Sequence, residues 1–330
     1  MVKYRAAPRL SSFWKGVLHI AGEKIALLNG GSHRLCILNY HRILDKCDPI
    51  FESDPDVETF QWQMELLAEC FNVLPLYDAV LALQTGRLPP RAVCITFDDG
   101  YRSVHDLALP ILTRLSLPAT VFVSSGFVEK ENMWNDRIVE AVRKLPIGEL
   151  DVRDFGMGVY RIIDAESRGA VASQLTYSSK YMLPVLRTDL AQKLEQLAGS
   201  VSGTDLMLTR EMIRTLHSNG IEIGGHTISH PILTSIEDHA AHEEIYGCKQ
   251  QLEVITGSTV RLFAYPNGKP DIDFDKRHSS MAKEAGFYAA FTTAMGAASK
   301  SHDLFQLPRS RPWDKTPLTF GLRLLRWLAH

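Results

Sequence analysis

The sequence predicts an α/β fold built on a parallel sheet, open or closed into a barrel. Two observations carry this expectation. Short apolar runs recur along the chain with helical stretches between them, and chemically versatile polar residues follow those runs closely. The chain has 330 residues, 45% hydrophobic and 22% charged, which suits a globular protein with a large core. Those proportions exclude a wholly disordered chain and a multi-span membrane protein. The formal charge of -2 offers no basic field for nucleic acid.

The elements follow in order. Residues 1–30 set Phe13, Val17, Ile20, Ile25 and Leu28 among basic residues. That is an amphipathic pattern suited to covering the side of the domain or to lying on a membrane surface. Residues 35–40 read as a buried strand ending at His41. Residues 60–70 have helical spacing, with Phe60, Met64 and Leu67 on one face. Residues 93–97 form a second strand, ending at Asp98-Asp99; 104–115 are helical and 119–123 form a third strand. Later strands are expected at 221–224, 261–265 and 289–293. Residues 129–208 break the rhythm and are too long for a simple loop, so an insertion with its own helices is expected there, over one face as a candidate substrate lid. Residues 313–330 form a second amphipathic helix. The division is thus 1–30, then 31–312 with the insertion at about 129–208, then 313–330.

Five scattered cysteines without a Cys-x-x-Cys pair read as thiols in a reducing compartment. The run from Phe13 to Ile20 is broken by Lys15 and His19, so it lacks the roughly 7–15 apolar residues of a secretory signal. Nothing approaches the roughly 20 apolar residues of a spanning helix. A soluble cytoplasmic protein is expected.

The chemistry gathers at strand ends. In parallel α/β folds that edge is where catalytic groups converge. Asp98 and Asp99 diverge from the end of a strand, so one carboxylate can bind a cation while the other faces a bound water. Gly100 permits the turn that follows. Asp-Asp-Gly alone also fits a helix start. His226 and His230, four apart after a glycine-rich strand end, can share a metal. Together these residues supply one carboxylate and two imidazoles with coordination positions left over, as hydrolytic zinc sites require, and a second carboxylate as general base.

Residues 95–101 (Ile95-Thr96-Phe97-Asp98-Asp99-Gly100-Tyr101) and 226–230 (His226-Thr227-Ile228-Ser229-His230) resemble the first two signatures of the NodB-like polysaccharide deacetylases, carbohydrate esterase family 4. Phe263-Ala264-Tyr265-Pro266-Asn267-Gly268 resembles the third signature in a variant form, and Leu307-Pro308-Arg309 a late element of the same branch. Leu38-Asn39-Tyr40-His41-Arg42 is similar to the start of the biofilm poly-N-acetylglucosamine deacetylases. The resemblance implies a distorted, incomplete (β/α) barrel of about seven strands. It also implies Asp98 as general base, with Asp99, His226 and His230 as ligands of a divalent metal, zinc first and cobalt or nickel as alternatives.

Two departures bear on the site. Ala264 stands where the family carries the arginine that orients the base, and Arg309, or less favourably Arg261, is the substitute. The late Leu-x-x-His acid is absent and His302 does not fit, which points to His41. Tyr265, Pro266, Asn267 and Trp134 are candidate substrate contacts, with Asp136 beside Trp134. The implied partner is an N-acetylated carbohydrate, lipid-linked if the terminal helices touch a membrane. Hydrolysis of another C–N bond, such as a formamide or cyclic amide, and a catalytically silent sugar-binding module are the competing readings.

Overall fold

The computed structural model describes residues 10–28, 33–51, 54–130, 132–199 and 205–329. Two ends of the expected N-terminal segment, 1–9 and 29–30, lie outside them. Among the described residues nine strands occur in chain order: β1 (Leu35–Tyr40), β2 (Asn72–Val73), β3 (Ala92–Phe97), β4 (Thr120–Val123), β5 (Gly148–Asp151), β6 (Val159–Ile162), β7 (Glu222–Gly225), β8 (Leu262–Ala264) and β9 (Ala289–Phe291). The chain divides into two compact units. The larger holds 1–46, 54–128 and 208–330, and the smaller holds 47–53 and 129–207.

The larger unit carries a seven-stranded sheet in the order β1-β3-β4-β7-β8-β9, with β2 beside the start of β3, and every pair is parallel. Every residue of β1 and β3 is buried, because helices and core cover both faces. Helix Val57–Cys70 is capped by Asp56, whose carboxylate accepts from the Thr59 amide, and it buries Phe60, Met64 and Leu67. The stretch expected at 104–115 opens as a π-helical turn, Val104–Ala108, before helix Leu109–Arg114. Pro110 has no N–H to give the ladder, and the Leu109 amide bonds the Val104 carbonyl one residue further back. Strand β2 and helix Leu76–Thr85 were not expected from the apolar pattern.

The sheet curls into a distorted, incomplete barrel. Strands β9 and β1 do not pair with each other; residues 307–310 run between them and touch both. The Leu307 amide donates to Ala290 O (3.0 Å) and Leu307 O accepts from Thr292 N–H (2.9 Å). Ser310 N–H donates to Ile37 O (2.9 Å) and Ser310 O accepts from Asn39 N–H (3.0 Å). Pro308 lacks an N–H, so this segment makes isolated bridges instead of a full strand.

The terminal helices, Ser12–Leu28 and Pro317–Ala329, pack on each other. They meet where Leu18 crosses Gly321, whose Cβ would come within 2.6 Å of Leu18 Cδ1. Among the described residues no helix is long and apolar enough to cross a membrane. All five cysteines are free, with Cys36, Cys70, Cys94 and Cys248 buried and Cys47 exposed.

The smaller unit has helices Trp134–Lys144, Ala165–Ser179 and Pro184–Leu197 and the antiparallel hairpin β5–β6. It owns a core built from Ile138, Val142, Leu150, Leu175, Leu190 and Leu194, among others. Asp164 and Ser167 form a reciprocal cap at the start of the second helix.

Candidate active site

Strand β3 runs buried to Phe97 and ends at Asp98 and Asp99, both themselves buried. The Asp98 amide still follows the ladder, bonding Tyr40 O at 2.9 Å. The chain then turns: Asp99 takes φ 75° and Gly100 φ 87°. A Cβ at Gly100 would also crowd Val123. Thr227, His230 and Asn267 share positive φ. Non-glycine residues held there store strain, and strain of this kind gathers at functional sites.

Asp99 Oδ1 lies 3.4 Å from Nε2 of His226 and 3.4 Å from Nε2 of His230. The three atoms fall within 4.8 Å of one another, and Asp99 Oδ1 is buried without a hydrogen bond. Four ligands at about 2.1 Å around a tetrahedral zinc stand about 3.4 Å apart, so the separations suit a shared cation. His226 Nδ1 is 2.7 Å from the Ala264 carbonyl. Donation there puts the proton on Nδ1 and leaves Nε2 as a free donor atom for a metal. The set can hold a divalent cation.

The loop bearing the two histidines is braced from both sides. Ser124 Oγ donates to His226 O (2.9 Å), and the Ser125 and Gly126 amides donate to Thr227 O (3.1 Å) and Ile228 O (2.8 Å). On the other side Glu244 Oε2 accepts the Ile228 and Ser229 amides, each at 2.8 Å, and Oε1 accepts Ser229 Oγ at 2.6 Å. The two histidines therefore sit on a clamped irregular loop just beyond β7.

Asp98 faces Arg309. Its Oδ1 and Oδ2 accept from the two terminal guanidinium nitrogens, each at 2.7 Å, and both residues are buried. Arg309 also reaches Thr96 Oγ1 (3.2 Å) and Thr292 O (3.2 Å). It enters from the 307–310 segment that closes the barrel, while Ala264 contributes only its carbonyl. Arg261 lies at the opposite edge of the sheet, 3.1 Å from Glu222, and does not reach Asp98.

Burial acts to raise both carboxyls. For Asp98 the charges of Arg309, His226 and His41 outweigh it, and the carboxyl falls below its usual range. For Asp99 the contact with His226 and the charge of His230 do the same. Burial would lower His226, but Asp98 and Asp99 overcome it and raise the ring. His41 Nε2 lies 3.0 Å from an Arg311 guanidinium nitrogen. Arginine can only donate, so Nε2 accepts and a neutral ring carries its proton on Nδ1. Burial, then Arg311, hold His41 down to about 3 against the pull of Asp99 and Asp98.

The other expected contacts divide. Pro266, Asn267 and Gly268 form a turn just past β8, with Thr293 Oγ1 donating to Asn267 O at 2.7 Å. The Tyr265 side chain is a core residue, not a groove surface. It is fully buried, stacked 3.7 Å from Phe274, and its hydroxyl donates to Phe305 O (3.0 Å). Trp134 and Asp136 belong to the smaller unit; Trp134 is partly exposed and Asp136 is fully buried. His302 is exposed and bonds Ser299.

Three neighbours escaped the sequence reading. Arg311 had a signal, since it stands two residues beyond Arg309 in an extended segment and so shares its face. Thr96 was read only as part of a motif. Glu244 had none, because it is one acid among Glu237, Asp238 and Glu243.

Fold and site together define a parallel α/β barrel with an Asp-His-His cluster that could hold a metal ion and a clamped carboxylate at the carboxyl ends of its strands. Residues 85–290 match the family profile described as polysaccharide deacetylase, and the chain belongs to that family. The poly-beta-1,6-N-acetyl-D-glucosamine N-deacetylase of Staphylococcus aureus is 32% identical over 111 residues, 30% of this chain and 38% of that protein. Its namesake from Staphylococcus epidermidis is 29% identical over 150 residues, 41% and 51% of the two chains. The matches thus span about two-fifths to one-half of the length of these curated relatives. Among solved structures, the Streptococcus pyogenes deacetylase PplD, in complex with acetate, matches with TM-score 0.59 at 19% identity, over 90% of this chain and 99% of that one. IcaB from Ammonifex degensii gives 0.57 at 19%, over 90% and 98%. At that identity the likeness establishes the fold.

Proposed function

We propose that this protein is a metal-dependent N-deacetylase that hydrolyses the acetamide of an N-acetylated amino sugar, in a glycan or glycan precursor, and releases acetate. One observation carries the reading: a three-atom ligand set and an arginine-clamped carboxylate share one edge of the sheet. Family membership and the name of the staphylococcal relatives support an acetylated amino sugar as the substrate class.

A divalent cation, zinc first and cobalt or nickel as alternatives, would be held by Asp99, His226 and His230. It would supply Lewis acidity toward the acetamide carbonyl and toward the attacking water. Asp98 accepts the proton of that water as it attacks. Arg309 keeps Asp98 ionised and fixes the direction of its two oxygens. The backbone N–H at the Asn267 turn donates to the developing oxyanion. His41 gives a proton to the departing amine nitrogen. Its resting ring is neutral, so the role requires His41 to take up a proton in the substrate complex. The cycle ends with Asp98 protonated and His41 neutral, and exchange with water resets both.

The test pairs two measurements on the full chain: bound metal in the purified protein, and acetate released from N-acetylglucosamine oligomers, with a formamide and a cyclic amide as comparison substrates. Bound metal without acetate release, but with turnover of either comparison amide, would move the protein to that other C–N bond. Absence of both metal and turnover would favour a silent binding module.

Contact with a membrane surface is proposed for the N-terminal helix, because Phe13 and Ile20 stay largely exposed beside half-exposed Trp14. A lipid-linked glycan would then be the substrate form. Flotation with anionic vesicles tests this, and protein left wholly in the soluble fraction would remove it. The free thiols support a cytoplasmic location, which cell fractionation would check.

A further inference from the structure

Four arginines are buried among the described residues, and three of them face a carboxylate. Arg42 meets Asp54 at 3.2 Å, Arg91 meets Glu23 at 3.0 Å and Arg309 meets Asp98 at 2.7 Å. The fourth, Arg187, is 6% exposed and has no acidic partner among the described residues. Its one hydrogen bond is long, 3.4 Å to the Lys180 carbonyl, and its Nε has none. Burial lowers the guanidinium pKa. An unpaired buried charge is among the costliest features a fold can hold, so it needs a cause.

Trp134 shares the place. The Arg187 guanidinium carbon lies 4.7 Å from the centre of the Trp134 ring. That contact offsets part of the desolvation. The N–H groups lie in the guanidinium plane and still need acceptors at its edge. The Trp134 indole N–H is likewise buried without an acceptor, and the next residue's Asn135 Oδ1 is buried without a donor. Two donor groups from different helices, Trp134–Lys144 and Pro184–Leu197, thus lack acceptors in one place. Trp134 itself remains partly exposed.

We propose that Arg187 and Trp134 form an oxyanion-binding site in the smaller unit, shaped for a carboxylate or phosphate group. Such a group accepts from a guanidinium edge through two oxygens at once, and it takes the indole N–H in addition. The ligand is an acidic sugar substituent or the phosphate of a glycan carrier. The site stands independently of the deacetylase reading, because none of its residues belongs to the Asp98 centre.

The experiment titrates the full-length protein with inorganic phosphate and with glucuronate, using N-acetylglucosamine as the neutral control, and reads tryptophan fluorescence and Tm. Wild type is expected to give a saturable response to at least one anion and none to the neutral sugar. Trp134→Phe should lose the fluorescence response, and Arg187→Gln should weaken binding roughly tenfold or more. Arg187→Lys keeps the charge without the fork and should fall between them; it also decides the matter if the glutamine variant fails to fold. A response to phosphate alone identifies the carrier type of ligand, and a response to glucuronate alone the acidic sugar. No saturable response to either anion, or equal Tm gains in wild type and Arg187→Gln, would overturn the site.

Discussion

At the carboxyl edge of the sheet Arg309 grips Asp98 through two 2.7 Å bonds, with both side chains buried. At the amino edge Arg261 lies 3.1 Å from Glu222, its side chain 44% exposed and its guanidinium 3.7 Å from the centre of the Tyr77 ring. Burial acts to raise both carboxyls, yet Asp98 ends below its usual range and Glu222 above it. Arg261 offers Glu222 one exposed bond, whereas Asp98 has a bidentate arginine with His226 and His41 close by. An arginine–carboxylate pair therefore serves as a partly exposed tie at one edge and as a buried, strongly held anion at the other. What differs is the company each carboxylate keeps.

The comparison breaks most directly at the carboxylates. Asp98→Asn should reduce acetate release by about 10³-fold or more while metal content holds, whereas Glu222→Gln should stay within about twofold. Wild-type turnover in Asp98→Asn would remove the base assignment. The arginines come next. Arg309→Met strands a buried carboxylate and should cost about 3–5 kcal/mol in denaturant unfolding. Arg261→Met, at a partly exposed pair, should cost about 1 kcal/mol or less. Similar losses would mean that the two edges are energetically alike.

Smaller effects test the supports of the carboxyl edge. Glu244→Ala releases the loop of His226 and His230, so metal affinity, measured by chelator competition, should fall about 10–100-fold. An unchanged affinity would make the Glu244 clamp incidental to the ligand set. Arg311→Met removes a positive charge beside His41, and the ring should then hold its proton to higher pH. A group that must be protonated to act loses activity as pH rises through its pKa, so the alkaline limb of the rate should move upward in this variant. A limb that stays in place, or moves down, would separate His41 from the acid role.

Much of this was legible in the chain. The strands before Asp98 and His226 are local apolar runs, and a strand end fixes where the next side chains emerge. The seven-stranded parallel barrel followed from the resemblance of those motifs. Tyr265 was misplaced because an aromatic beside a turn looks the same whether it faces a groove or the core, and Phe274, which stacks on it, is remote in pattern from the strand. The short β2 and the β5–β6 hairpin carry too few residues to print a period.

By itself, then, the sequence determined the carboxylates, the two histidines and the sheet edge they occupy, since each depends on neighbours a few residues away. Tertiary structure decided between Arg309 and Arg261, bringing Arg309 to Asp98 across 211 positions, and it alone decided that burial and Arg311 hold His41 down and that Glu244 locks the histidine loop. Those contacts arise from barrel closure through residues 307–310 and from the packing of helix Asp238–Thr256. Burial and charge pairing are properties of the assembled site, and no local pattern records them.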